Sequence, residues 1–438
     1  MQTKNVSTQA ISKPLLFITI LLFILRIIIS LYPSNSSPKE VSKEVKIYLE
    51  QAISIIEKHS IKAKEIDFKE FRNQTFADAA GAKTPDDAYD ALRKALTRLG
   101  DRHSFLSTFT DWGEVIGGKK KKTVGMVINF SSGVVMQILP NSVAEQKGVK
   151  LGDIVLEMDD QLINSLTKEK FNSLLNPSIA NSKRNSIKIK LRDSQDNIKP
   201  LELAFSSADI ALLPTGKKLF NNIGYINLPM QITGGNSIQE YADKTQEIIK
   251  QLDNENICGW IVDLRQNQGG NMWPMLAGIG PVLGEGIAGS YIYLDPNQKP
   301  QWSYKDGKAF DETRVVVAVN KPYILKKTLP PVAILTSELT ASSGEAIVVS
   351  FKGRSQTRFF GQSTYGVPTA NVSYPLSDGA KIVLTVALEA DRTSKTYSDK
   401  IAPDEELKID WRLFAIEQDP VIIAANNWLK TQYRKDCK

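Results

Sequence analysis

Cysteine and histidine are nearly missing from this 438-residue chain. Its two cysteines, Cys258 and Cys437, stand 179 positions apart, so neither a disulfide framework nor a cysteine-based metal cluster is available. Only two histidines occur, His59 and His103, and no H-E-x-x-H spacing is present, so no metal site is expected. If imidazole does chemistry here, one of those two residues does it. An excess of one charge is also lacking. The formal charge is +7, but Lys4, Lys13 and Arg26 lie in a leader without acids, and the remaining 52 basic residues face 48 acidic ones. The one tight basic run, Lys119 to Lys122, has the composition of a solvated loop, and nucleic acid is not an expected partner. At 42% apolar residues the chain can bury several cores, about three by length, which excludes general disorder.

Long apolar runs are absent except at the N-terminus. Pro14 to Tyr32 (PLLFITILLFILRIIISLY) holds one charge and is long enough for a hydrocarbon core of about 30 Å. Lys4 and Lys13 precede it, the polarity of an export signal, and no A-x-A site closes it. Residues 1–33 are therefore expected to be a signal anchor, with a cleaved signal peptide as the alternative. The rest of the chain would be extracytoplasmic, in a periplasm or at a cell surface, and tied to a membrane.

Residues 34–114 are expected to form a helical region. Val41, Val45, Tyr48, Leu49, Ala52 and Ile56 follow helical spacing over about 40 to 58. A second helix has Thr84 as N-cap, Pro85 at its first position, Asp86 and Asp87 in its first turn and Gly100 as its stop. His103, in DRHSFL, then falls in a loop just past a helix end, where functional side chains are common. His59, among Glu57, Lys58 and Ser60, is expected to face solvent.

Between about 115 and 208 the pattern changes to short β-type runs broken by turns. TVGMVI and SVAEQKGVKLGDIVLEMDDQ, with Ala144, Gly148, Gly152 and Asp153 in order, resemble a PDZ domain. The resemblance implies strand addition of a peptide C-terminus, with its carboxylate held by backbone N–H groups at Val124, Gly125 and Met126. A PDZ-like fold that only spaces two other domains is the alternative.

From 209 to 438 the pattern is α/β. IGYINLPM, ICGWIVDLR and PPVAILTS are expected strands, SIQEYADKTQEIIKQLDN is an amphipathic helix, and Asp378-Gly379 turns a hairpin. WIVDLR runs into the polar, glycine-rich QNQGG, where backbone N–H groups can approach a ligand. VAILTS is followed by ELTASSGEAIVVSF. There Ser342 and Glu345 have capping-box spacing, which is the structural reading of the pair. A serine at a helix N-terminus can also sit where free N–H groups favour an oxyanion.

These segments together, DLRQNQGG, TASSGE, GRSQTRFFGQSTYG, PLSDGAKIVLTVAL and IAPDEE, resemble the carboxyl-terminal processing (tail-specific) serine proteases. LGDRHSFL ahead of a PDZ-like segment matches their architecture too. The resemblance implies a multidomain α/β (α+β) protein: an N-terminal helical region, an inserted PDZ-like β domain, and an α/β protease core with a crotonase-like sheet and helices. It implies a serine endopeptidase without cofactor that cuts unstructured or C-terminal peptide segments. Ser342 is the implied nucleophile. Ser343 supplies one oxyanion N–H, and Gly269 or Gly270 the other.

One departure stands out. Most of that family carries a lysine 25 residues after the serine as general base, and Val367 stands there, with Asn371 in place of a helper glutamine. The Ser-His variant, resembling nisin-resistance and tricorn-type proteases, places a histidine in the helical N-terminal region. His103 fits that position. Imidazole accepts a hydroxyl proton near neutral pH without the burial that a lysine needs. Glu345, Asp101 and Ser104 are candidates to orient it. A catalytically inactive peptide-binding scaffold and a Ser-Lys enzyme with a relocated lysine, Lys352 or Lys381, are the alternatives.

Overall fold

The computed structural model describes residues 40–108, 121–175, 184–208, 212–231, 236–253, 257–295 and 297–432. The apolar segment 14–32 lies outside them, and no helix among the described residues is long and apolar enough to cross a membrane.

The protein is a mixed α/β multidomain molecule built on two sheets. The six-stranded sheet runs in the order Thr215–Leu219, Ile223–Asn227, Gly259–Asp263, Val332–Thr336, Thr357–Gly361, Glu405–Glu406, and it is parallel after its first pair. Its two central strands are buried at every residue, as a parallel sheet covered on both faces requires. Because Gly259–Asp263 and Val332–Thr336 are parallel neighbours, the loops leaving their carboxyl ends must meet. They do: Ala341 N–H donates to Asn267 O at 3.0 Å, and Thr340 Oγ1 to Leu264 O at 2.9 Å.

Beneath those loops Arg265, fully buried, pairs with Asp263 and Asp419 at 2.7 Å each. The Tyr225 hydroxyl donates to Asp263 at 2.8 Å. A buried guanidinium between two carboxylates fixes the backbone that enters the glycine loop.

The second, eight-stranded sheet is organised on Lys381–Asp391, which pairs antiparallel with Phe105–Ser107, Gly286–Tyr293, Thr369–Pro375 and Thr396–Tyr397. Asp378-Gly379 turns the hairpin into this strand, with Gly379 at φ 89°. Pairing of Phe105–Ser107 ties the N-terminal region to the core. Its helices, Lys43–His59, Phe68–Asp78 and Tyr89–Arg98, bury Leu49, Ile53, Leu92 and Leu96 in one apolar cluster with Trp260, Met275, Ile334 and Leu384. The Phe68–Asp78 helix had no counterpart among the sequence expectations. His59 is not wholly in solvent as expected: it is half-buried and stacked on Tyr374, ring centroids 4.7 Å apart.

Residues 124–205 build a separate apolar core around Val135, Val155, Ile187 and Leu203. Here Met126–Ile128 pairs with Val135–Ile138, and Ile154–Met158, Ser186–Arg192 and Ile198–Ala204 form an antiparallel meander with Gln161–Leu162 at its edge. Lys121–Thr123 pairs with Ser206–Ala208, bringing the two ends of the insertion together.

Candidate active site

Ser342 begins the helix Ser343–Phe351 with φ 52° and ψ −121°, a backbone state that costs a serine about 1–3 kcal/mol and persists only where its surroundings impose it. The capping pair expected from the sequence is present: Ser342 N–H donates to Glu345 Oε2 at 3.0 Å. Glu345 does more than cap. It is fully buried and also accepts from Thr364 Oγ1 at 2.5 Å, Gly366 N at 2.9 Å and Val367 N at 2.8 Å. Burial pushes its carboxyl above the ordinary range, and these donors oppose the shift. Every one of them presents a hydrogen to its oxygens, so the ionised form is the one the site is built for.

The glycine loop closes over the serine. A Cβ added to Gly269, at φ 101°, would lie 2.8 Å from Ser342 Cβ and 2.9 Å from Ala341 O, so only glycine fits. The loop bears on the choice between the two glycines. Gly269 N–H donates to the buried Asn267 Oδ1 at 2.9 Å and is not free to face an oxyanion. Gly270 is the remaining glycine, and Ser343 Oγ donates to its carbonyl at 2.6 Å, tying it to the helix start. An asparagine two residues before a glycine is a recognisable side-chain turn pattern, so this signal was available in the sequence.

His103, from the N-terminal region, is bonded to the segment whose backbone Glu345 anchors. Its Nδ1 is 2.6 Å from Thr369 Oγ1. The Thr369 hydroxyl also has Val367 O within reach at 3.5 Å, and in the tautomer with the proton on Nδ1 the ring donates to the threonine and Nε2 carries the lone pair. Thr369 was not among the expected orienting residues. Asp101 and Ser104 hold backbone instead: Asp101 Oδ1 accepts from His103 N at 2.9 Å and Ser104 N at 2.8 Å, and Ser104 Oγ donates to Asp101 Oδ2. Glu345 orients the serine side.

The segment 364–371 joins the two halves. Gly366 and Val367 are fixed by Glu345, Arg102 donates to Gly366 O at 2.8 Å, and Asn371 Nδ2 donates to His103 O at 3.0 Å. Val367 at the expected lysine position is buried, and its backbone rather than its side chain serves the site. Neither alternative lysine comes near. Lys352 follows the far end of the helix, with Nζ 3.6 Å from the Phe359 ring centroid. Lys381 pairs with Ser107 and Pro375, four residues or about 13 Å along the strand from Thr385, which contacts Ser104. Sequence reasoning also missed Glu389, a buried carboxyl that burial and the Glu345 charge push well above its usual range.

In the unit with the separate core around Val135 and Val155, which the sequence likens to a PDZ domain, Val124 is buried with its carbonyl accepting from Ala144 N. Met126 opens the strand paired with Val135–Ile138. Gly125, at φ 81°, donates its N–H to Thr123 Oγ1 at 3.0 Å, so one of the three donors expected for a peptide carboxylate is already engaged.

A strained serine at a helix N-terminus, beside a glycine loop and joined by one connected segment to an imidazole, is an arrangement that can carry out acyl transfer. Residues 222–407 match the sequence profile of peptidase family S41. The chain is 29% identical over 205 residues to the nisin-resistance protein of Lactococcus lactis, covering 47% of this chain and 59% of that protein. It is 23% identical over 268 residues to the carboxy-terminal processing protease CtpA of Bacillus subtilis, covering 60% and 51%. The chain thus spans little more than half the length of these relatives. The solved photosystem II D1 C-terminal processing protease shares the fold, with a TM-score of 0.56 at 18% identity over 84% of this chain and 94% of that one.

Proposed function

We propose that the protein is an exported serine endopeptidase that cleaves unstructured or C-terminal peptide segments, with Ser342 as nucleophile and His103 as general base. The observation that supports this reading is the 2.6 Å contact between His103 Nδ1 and Thr369 Oγ1, on a histidine tied to the Ser342 site through residues 364–371; with the proton on Nδ1, Nε2 is the acceptor the mechanism needs. Nε2 takes the Ser342 Oγ proton as the oxygen attacks the scissile carbonyl and returns it to the leaving amine. The N–H groups of Ser343 and Gly270 receive the oxyanion. Gly269 acts by its lack of a side chain.

Peptide tails bind by strand addition along Met126–Ile128, with the Thr123 hydroxyl giving way to the carboxylate. Export is supported by the apolar N-terminal segment 14–32 and by Cys258, which is disulfide-bonded as in oxidising compartments. The chain's other cysteine, Cys437, lies outside the described residues.

A fluorophosphonate probe should label the wild type and leave Ser342→Ala unlabelled; equal labelling of both would remove Ser342 from the mechanism. Thr369→Val should lower kcat about 10- to 100-fold with little change in KM, whereas Thr369→Ser keeps the hydroxyl and most of the rate. Wild-type kcat in the valine variant would show that Thr369 does not orient the base.

The pH profile has a definite sign. Burial lowers the His103 pKa from 6.5 to about 4, against the raising effect of the Asp101 charge. A base works unprotonated, so kcat/KM should hold from neutral pH to about 5 and fall near 4 rather than near 6.5. The same shift makes the unfolded chain bind this proton first as pH falls. Stability from this group is complete above the unfolded value near 6.5 and declines down to about 4. An acid limb between 6 and 7 would show that the working histidine is not in this buried setting.

A further inference from the structure

The glycine loop is gripped from two sides, and one side belongs to another unit of the fold. Met136, in the strand Val135–Ile138 of the PDZ-like unit, is buried in the apolar cluster of the protease core with Ile223, Tyr225, Ile261 and Leu335. Its carbonyl accepts from Gln266 Nε2 at 2.8 Å. The next residue, Gln137, is 3% exposed. Its Oε1 accepts from Gln268 Nε2 at 2.7 Å, and its Nε2 donates to Gln266 O at 3.4 Å. Gln268 immediately precedes Gly269 and Gly270. The core pins the other loop residues, through Asn267 Oδ1 on Gly269 N and Ser343 Oγ on Gly270 O.

We propose that Gln137 is a positioning residue for the oxyanion hole: its bond to Gln268, made across the boundary between the PDZ-like unit and the core, sets the orientation of the Gly269-Gly270 peptide. This rests on the peptidase reading above. An amide pair with Gln137 buried and Gln268 half-buried fits such a role. With both partners satisfied it holds one geometry, and with one partner removed the other is left unpaired and the loop is free to turn. An oxyanion donor stabilises charge that develops only in the transition state, so displacing it lowers kcat and spares KM.

The test is steady-state cleavage of an unstructured peptide by the full chain. Gln137→Ala should lower kcat about 10- to 100-fold, below the loss for deleting a whole oxyanion donor, with KM within about twofold. Gln137→Glu keeps the acceptor for Gln268 but sets a carboxylate oxygen against Gln266 O, so it should recover only part of the rate. Gln268→Ala removes the same bond from the loop side and serves should Gln137→Ala fold poorly. The double variant should be no slower than the worse single one, because both delete one interaction.

Wild type that cleaves while Gln137→Ala and Gln268→Ala keep its kcat overturns the inference alone. Losses that multiply in the double variant also overturn it. Wild type that cleaves no better than Ser342→Ala overturns the peptidase reading and this inference with it.

Discussion

His103→Ala should lower kcat on an unfolded substrate by on the order of 10³ or more, and Ser342→Ala by a similar factor, with the double variant no slower than either single one. The cause is geometric. The histidine stands on a loop whose backbone Asp101 fixes, its ring bonds Thr369, and its carbonyl is held by Asn371. Among the described residues, His103 is the imidazole bonded to segment 364–371. Activity that survives in His103→Ala would mean that another group takes the serine proton. If it were then lost in Lys381→Ala, the relocated-lysine alternative would replace the Ser-His pair.

The second large effect is on the frame of the site. Glu345→Ala strips a buried acceptor from four donors: the N–H groups of Ser342, Gly366 and Val367 and the hydroxyl of Thr364. Leaving buried donors unpaired costs about 1–3 kcal/mol each, less where the loops relax, so a loss of about 3–5 kcal/mol in unfolding free energy is expected. Cleavage should fall with it, because Ser342 loses the bond that holds its strained backbone and residues 364–369 lose their anchor beneath His103. Glu345→Gln should rescue little. It keeps the shape, but its amide nitrogen meets N–H groups that are themselves donors. Chemical denaturation of wild type and both variants measures this, and a loss below about 1 kcal/mol in the alanine variant would show that the carboxylate does not hold the site together.

Local physics was legible in the sequence, and long-range contact was not. Thr84, Pro85 and the aspartates after them announced a helix start, Asp378-Gly379 announced a hairpin, and the glycine pair after a buried strand announced the loop beside Ser342. Each of these is set by neighbours within a few residues. His103 stood out because the resemblance to the Ser-His variant implies a histidine in the N-terminal region, and of the chain's two histidines His103 fits that position. Thr369 could not be found that way, because it meets His103 across 266 residues through a sheet register that no short pattern encodes. The grip of Gln137 on Gln268 spans 131 residues and is hidden for the same reason. The N-terminal helices read as a separate region because their amphipathic pattern shows that a face is buried and not which core receives it. Gly269 was a different case, since Asn267 lies only two residues away and its side chain competes for the same N–H.

The most direct test of the account is mass spectrometry of the products from one unfolded protein treated with wild type, Ser342→Ala and His103→Ala. The account predicts internal or C-terminal fragments from the wild type and none above background from either variant. Identical fragments from wild type and Ser342→Ala, or no fragments from any of the three while all bind the substrate, would contradict it.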